Sequence, residues 1–192
     1  MYTPKNYDHL LGLEGFSEAA LKLHFTLYEG YVKNINSILA KQKEGRLELG
    51  SIEASEVERR MGWEYNGMKL HEIYFGSLSK NKNELNKESA LAKKIDEIYG
   101  SFENWIATLK SIGTMRGIGW VALVKGESEN ELFTLWFEEH NTGLFANSKV
   151  ILCMDMLEHA FLLDFGTKKA DYIDAFLKNV DWKVCEERFE NK

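Results

Sequence analysis

Asp155-Met156-Leu157-Glu158-His159 sets a carboxylate and an imidazole four residues apart between two apolar runs, Val150-Ile-Leu-Cys-Met154 before it and Ala160-Phe-Leu-Leu163 after it. If residues 155–159 are helical, the i, i+4 spacing puts both side chains on one face. A carboxylate enclosed by apolar residues is costly unless it is paired or coordinated. The pair therefore reads either as an Asp–His hydrogen bond in the core or as half of a metal site whose other ligands lie elsewhere.

Outward from this stretch the chain divides by periodicity. Trp120–Val124 and Leu132–Phe137 are rich in β-branched and aromatic residues and are separated by residues 125–130, which predicts a hairpin, and Val150–Met154 adds a third strand. Helices are expected over 171–180 and 182–189 downstream, and over 89–99 and 102–112 upstream, with Gly113, Gly117 and Gly119 breaking the pattern in between. Earlier still, Ser17 caps a long helix whose inward stripe would run Ala20, His24, Leu27, Tyr31, Ile35 and Ile38. Residues 41–50 form a polar turn, and Ser51 opens a second long helix through Val57, Met61, Met68, His71, Tyr74 or Phe75, and Leu78. Two long helices with a short connection form an antiparallel hairpin. The polar stretch 79–87 has little to bury and is the expected boundary. The reading is an α+β fold: a helical hairpin over 1–84, packed on an 85–192 domain with a small three-stranded antiparallel sheet, the site lying between them.

With 192 residues, 44% of them hydrophobic, the chain can bury a substantial core. It opens without a basic stretch leading into an apolar run and has no 18-residue apolar segment, so neither a signal peptide nor a membrane span is expected, and the reading is cytoplasmic. A net charge of −6 without a basic, aromatic-interleaved cluster argues against nucleic acid as a partner. The two cysteines, Cys153 and Cys185, do not make a thiolate zinc site or a disulfide framework.

Of the five histidines, His24, His71 and His159 lie on or beside apolar stripes, as does Asp155. One Asp and three His with a position left open suit a redox-active first-row metal better than a closed structural zinc site. The surrounding motifs resemble the iron/manganese superoxide dismutase family over nearly the whole chain. Phe16-Ser-Glu-Ala-Ala-Leu-Lys-Leu-His24 and Tyr31-Val-Lys-Asn34 are similar to the family's first-ligand segment and its following Tyr-Val-Asn-Asn. Asn66-Gly-Met-Lys-Leu-His71 resembles the second-ligand segment, Tyr99-Gly-Ser-Phe102 the Phe-Gly-Ser-Phe motif and Gly117-Ile-Gly-Trp120 the Gly-Ser-Gly-Trp motif. Asp155-x-x-Glu158-His159-Ala160, with Asp171-Tyr172-Ile-Asp-Ala-Phe176 after it, is similar to the Asp-x-Trp-Glu-His-Ala-Tyr signature and tail.

The resemblance implies that His24, His71, Asp155 and His159 hold one Mn or Fe ion per chain, with a water or hydroxide as fifth ligand. It implies that Tyr31 and His140 pass protons while superoxide is converted to oxygen and peroxide. It sets Tyr28, Trp120, Tyr172 and Glu158 around the ligands or at a subunit contact, Glu158 reaching toward the other site of a homodimer, and Lys168 and Lys169 at an anion-attracting mouth. The chain also departs from the family. His24 and Tyr31 are one residue closer than usual, which predicts a regular first helix, and Tyr28 stands where a second channel histidine is expected. Leu157, Ala122 and Phe75 replace tryptophans around the site, and Met68 replaces a polar residue. A non-catalytic metal-binding or interaction protein keeping the same fold is the alternative reading.

Overall fold

A computed structural model describes residues 1–45, 48–128 and 131–190. Within the expected turn over 41–50 and the connection over 125–130, residues 46–47 and 129–130 lie outside the described residues. Two helices come first: α1 (Glu18–Lys43) and α2 (Ile52–Phe75), each opened by a serine whose hydroxyl accepts the backbone N–H three residues on, Ser17 from Ala20 and Ser51 from Ala54. They pack on each other as a hairpin. α1 runs as one regular helix through the shortened His24–Tyr31 interval.

The face α1 buries is rotated from the expected stripe. Ala20, His24, Ile35 and Ile38 of that stripe are buried, joined by Leu21, Phe25, Tyr28 and Val32, while Leu27 and Tyr31 are only half-buried. Phe25 and Tyr28 pull the stripe round because their rings join Tyr7 and Phe75 in an aromatic cluster with centroid spacings of 4.8–6.2 Å.

α3 (Ala90–Tyr99) and α4 (Phe102–Gly113) lead into the sheet, which consists of β1 (Gly119–Lys125), β2 (Leu132–Glu138) and β3 (Lys149–Asp155) in the order β2-β1-β3, antiparallel throughout. β1 is central and buried on both faces, as its unbroken apolar run requires. Gly119 opens it at φ 144°, where a Cβ would stand 2.2 Å from the Phe137 carbonyl oxygen, so glycine is needed there. A one-turn helix α5 (Leu162–Phe165) precedes α6 (Lys169–Lys178) and α7 (Trp182–Glu190). The 79–87 stretch is tied to the C-terminal helices, Ser79 N–H donating to the Asn179 carbonyl and Asn86 N–H to the Glu186 carboxylate. No helix among the described residues is long and apolar enough to cross a membrane.

Cys153 on β3 and Cys185 on α7 are fully buried and unbridged. Burial pushes the Cys185 thiol up to about 12 and Cys153 higher still. Both thiols should be inert to a disulfide reagent in the native protein at pH 8 and react fully in denaturant. Because each folded-state value lies above the unfolded value of about 8.5, their contribution to stability is complete below that pH and declines as pH rises from about 8.5 toward 12. Denaturation midpoints across that range measure it.

Candidate metal centre

Four elements deliver one donor each to a single point. α1 brings His24, α2 brings His71, β3 ends on Asp155, and a tight turn over Glu158–Ala160 brings His159. The 155–159 stretch does not take the helical form that its spacing would allow. Strand pairing carries on through Trp120 opposite Asp155, and Met156 N–H still donates to the Gly119 carbonyl at 2.8 Å, so the backbone stays extended and only then turns. The turn folds His159 back onto Asp155 and achieves by a different route the convergence a helix would have given.

The His159, His24 and His71 Nε2 atoms lie 3.0, 3.2 and 3.5 Å from one atom, Asp155 Oδ2. The four donor atoms all fall within 4.8 Å of one another. Asp155 Oδ1 is engaged by the Leu157 N–H at 2.8 Å, which leaves Oδ2 to face the imidazoles. Behind it the Tyr172 hydroxyl donates to the Asp155 carbonyl at 2.7 Å.

His71 shows most directly that the site fits a cation. Its Nδ1 donates to the Gly67 carbonyl at 2.6 Å, which fixes the tautomer and leaves Nε2 with a bare lone pair. That Nε2 is buried and, among the described residues, makes no hydrogen bond, its approach to Asp155 Oδ2 being 3.5 Å. An orphaned buried nitrogen is expensive, and one aimed at three other donors is satisfied by a metal. Burial lowers the proton affinity of both His24 and His71, so at neutral pH they are the neutral imidazoles that metals bind. Burial alone would raise Asp155, but His159 and His24 beside it hold the carboxyl far below the usual range. Burial likewise pulls His159 down, and Asp155 more than offsets that. Three imidazoles, one carboxylate and no thiolate suit manganese or iron.

Against this cluster stands a hydrogen-bonded chain. The Trp120 indole N–H, which can only donate, points at His140 Nδ1 at 3.0 Å. The proton of neutral His140 therefore sits on Nε2 and is donated to the Tyr31 oxygen, 2.7 Å away. This frees the Tyr31 hydroxyl hydrogen for a further acceptor. His140 is buried and its proton affinity drops to about 4, so it is neutral at pH 7, and burial with nearby Asp155 and Glu64 keeps Tyr31 protonated. The Tyr31 ring lies 5.2 Å from that of His71.

The remaining sequence-derived positions are dispersed. Tyr28 is buried with its ring 6.5 Å from that of His71, its hydroxyl accepting the Lys5 N–H and donating to Glu72. Glu158 is exposed. Of the basic pair, Lys168 faces solvent, while Lys169 is fastened to the Met115 and Gly117 carbonyls at 3.0 and 2.9 Å. Phe75 still walls the site, 4.9 Å from His24 between ring centres. His9 is exposed and takes no part. Two further contributors are given no role by the sequence. Trp63 packs 4.7 Å from the His140 ring, and the Asn66 amide donates to the His140 carbonyl at 2.9 Å. Trp63, Gly67 and His71 follow one another at steps of four, the spacing that would have placed Trp63 on the ligand-bearing face of α2.

Comparison with known proteins meets this geometry from another side. The family described as iron/manganese superoxide dismutases, C-terminal domain, matches residues 86–188. An iron superoxide dismutase of Cupriavidus metallidurans is 33% identical over 92% of this chain and 90% of its own length. One from Aquifex pyrophilus is 32% identical over 97% and 90%. A manganese superoxide dismutase of Haloferax volcanii is 31% identical over 97% and 92%.

Proposed function

Since the chain belongs to the iron/manganese superoxide dismutase family, we propose that it converts superoxide to oxygen and hydrogen peroxide at one manganese or iron ion held by His24, His71, Asp155 and His159. The observation that carries this reading is the partnerless, buried His71 Nε2 aimed at three further donors. A bound ion of either metal supplies one-electron chemistry by alternating between two oxidation states. The chain's own residues do the rest. Asp155 brings a full negative charge against the ion, which favours its oxidised form. His24 and His71, already neutral, need lose no proton to bind.

Forming peroxide from superoxide consumes protons, and the Trp120–His140–Tyr31 chain leaves the Tyr31 hydroxyl proton free to be given, with the neutral His140 Nε2–H bonded to the oxygen it leaves behind. Residues 1–84 supply His24, His71 and Tyr31, and residues 85–192 supply Asp155, His159 and His140. The two halves close on the ion together.

The same reading makes the protein a homodimer. Leu23, Leu162 and Leu163 are 52%, 51% and 59% exposed and surround Glu158 and the half-buried His159. An apolar patch beside a metal ligand is best covered by a second copy, with Glu158 directed at the partner's site. Leu162→Lys should shift sedimentation from dimer to monomer. A wild-type monomer at micromolar concentration would refute the arrangement.

Metal analysis of the isolated protein, paired with superoxide decay followed after a rapid pulse, tests the activity. One Mn or Fe per chain with accelerated decay is expected. Metal at full occupancy with no acceleration would leave the non-catalytic metal-binding reading.

A further inference from the structure

Arg60 lies outside the ligand set, two turns before Asn66-Gly67 on α2. Its Nε donates to Glu64 Oε1 at 2.8 Å, and its guanidinium carbon sits 5.0 Å above the Trp63 ring. Trp63 in turn packs against His140, which is bonded to Tyr31. The Arg60–Glu64 pair is oriented. Glu64 is only 3% exposed and its second oxygen accepts from the Asn34 amide at 3.2 Å, whereas the Arg60 side chain is 47% exposed. The negative end thus lies inside the α1–α2 seam and the positive end faces water across Trp63.

The proton chain is least covered at that same place. Tyr31 and Trp63 are half-buried, while His71, His140 and Trp120 are buried. Of the four metal donors His159 is the partly open one, and it lies on the patch assigned above to a second copy of the chain. The neighbouring Arg59 is occupied by Glu56, at 2.6 and 2.8 Å. An acidic chain of net charge −6 repels a small monoanion on average, so a local cation at the approach matters.

We propose that Arg60 is the anion-positioning residue of this site, drawing superoxide to the Trp63–Tyr31 approach and cancelling the buried charge of Glu64 beside it. The inference rests on the dismutation proposed above. Burial dominates the proton affinities of Tyr31 and His140, and Arg60 is among the charges acting on both, which agrees with its placement.

In the metal-loaded protein, Arg60→Gln should lower kcat/KM on the order of 3- to 10-fold at low ionic strength, the loss falling on kcat/KM rather than kcat. The decline of kcat/KM with added salt seen in the wild type should flatten or reverse. Arg60→Lys should retain most of the rate, and the double variant R60Q/E64Q should recover part of it, which a packing role would not give. A second readout needs neither metal nor turnover. Fluorescence quenching of Trp63, taken as wild type minus Trp63→Phe, should lose about half its iodide sensitivity in Arg60→Gln with acrylamide quenching unchanged. Unchanged iodide quenching, or acrylamide quenching that changes in step with it, would overturn the proposal. If the wild type fails to accelerate superoxide decay, the dismutation reading falls while the iodide result still decides whether Arg60 gathers anions.

Discussion

His71→Ala is expected to leave the chain folded but unable to keep an ion, with metal content falling from one per chain to near zero and superoxide decay returning to the uncatalysed rate. The reason is specific to this imidazole. Among the described residues its Nε2 makes no hydrogen bond and no further imidazole stands ready to replace it, whereas Asp155 retains His24 and His159 at 3.2 and 3.0 Å. The buried carboxylate therefore stays paired, and the cost to the fold is that of a cavity rather than of an orphaned charge. Loss of a mere supporting partner commonly costs roughly 10- to 100-fold in metal affinity, and loss of a direct donor from a four-donor set should exceed that. Elemental analysis alongside circular dichroism measures both halves of the prediction, with His9→Ala as the exposed-histidine control. A His71→Ala protein that still carries a full ion would show that the donors lie elsewhere.

Gly67→Ala should have nearly the opposite signature: metal retained, activity lost. A Cβ at position 67 would stand 2.6–2.9 Å from three carbons of the Tyr31 ring, so either the ring leaves its place or α1 and α2 part. Tyr31 is held by its 2.7 Å bond to His140, and displacing the ring breaks the proton chain while leaving the His71 Nε2 untouched. Overpacking of this kind costs about 1–3 kcal/mol of stability. Misplacing a proton-delivering group by about an ångström costs on the order of 100-fold in rate. Thermal melting and superoxide decay, measured on protein with verified metal content, separate the two effects. Wild-type activity in Gly67→Ala would mean that Tyr31 is not part of the proton path.

Much of this was legible in the sequence, for reasons that are local. Ser17 and Ser51 announce their helices because a hydroxyl at that position satisfies an otherwise free N–H. The runs at 120–124, 132–137 and 150–154 form strands because their β-branched and aromatic residues suit a buried sheet. What periodicity alone does not reveal is which apolar faces meet. His24 and Asp155 are 131 residues apart, and only the likeness of the surrounding motifs to a family joined them. The conformation of 155–159 is left open by the sequence because its local spacing is compatible with a helix, while the pairing of Trp120 with Asp155 that keeps it extended is tertiary. The rotation of α1 has a similar cause: the aromatic cluster of Tyr7, Phe25, Tyr28 and Phe75 is assembled from three separate segments. Arg60 and Trp63 went unnoticed because a charged residue and a half-buried aromatic on a helix look like ordinary surface until His140 is folded against them.

On the proposed reading, the three imidazoles and Asp155 hold an ion that disproportionates superoxide. Its most direct test strips the protein of metal, reloads it stepwise with manganese or with iron, and follows superoxide decay against measured occupancy. The account predicts a rate that rises in proportion to occupancy for at least one of the two metals and levels off at one ion per chain. A rate indistinguishable from buffer at full occupancy with both metals would contradict it.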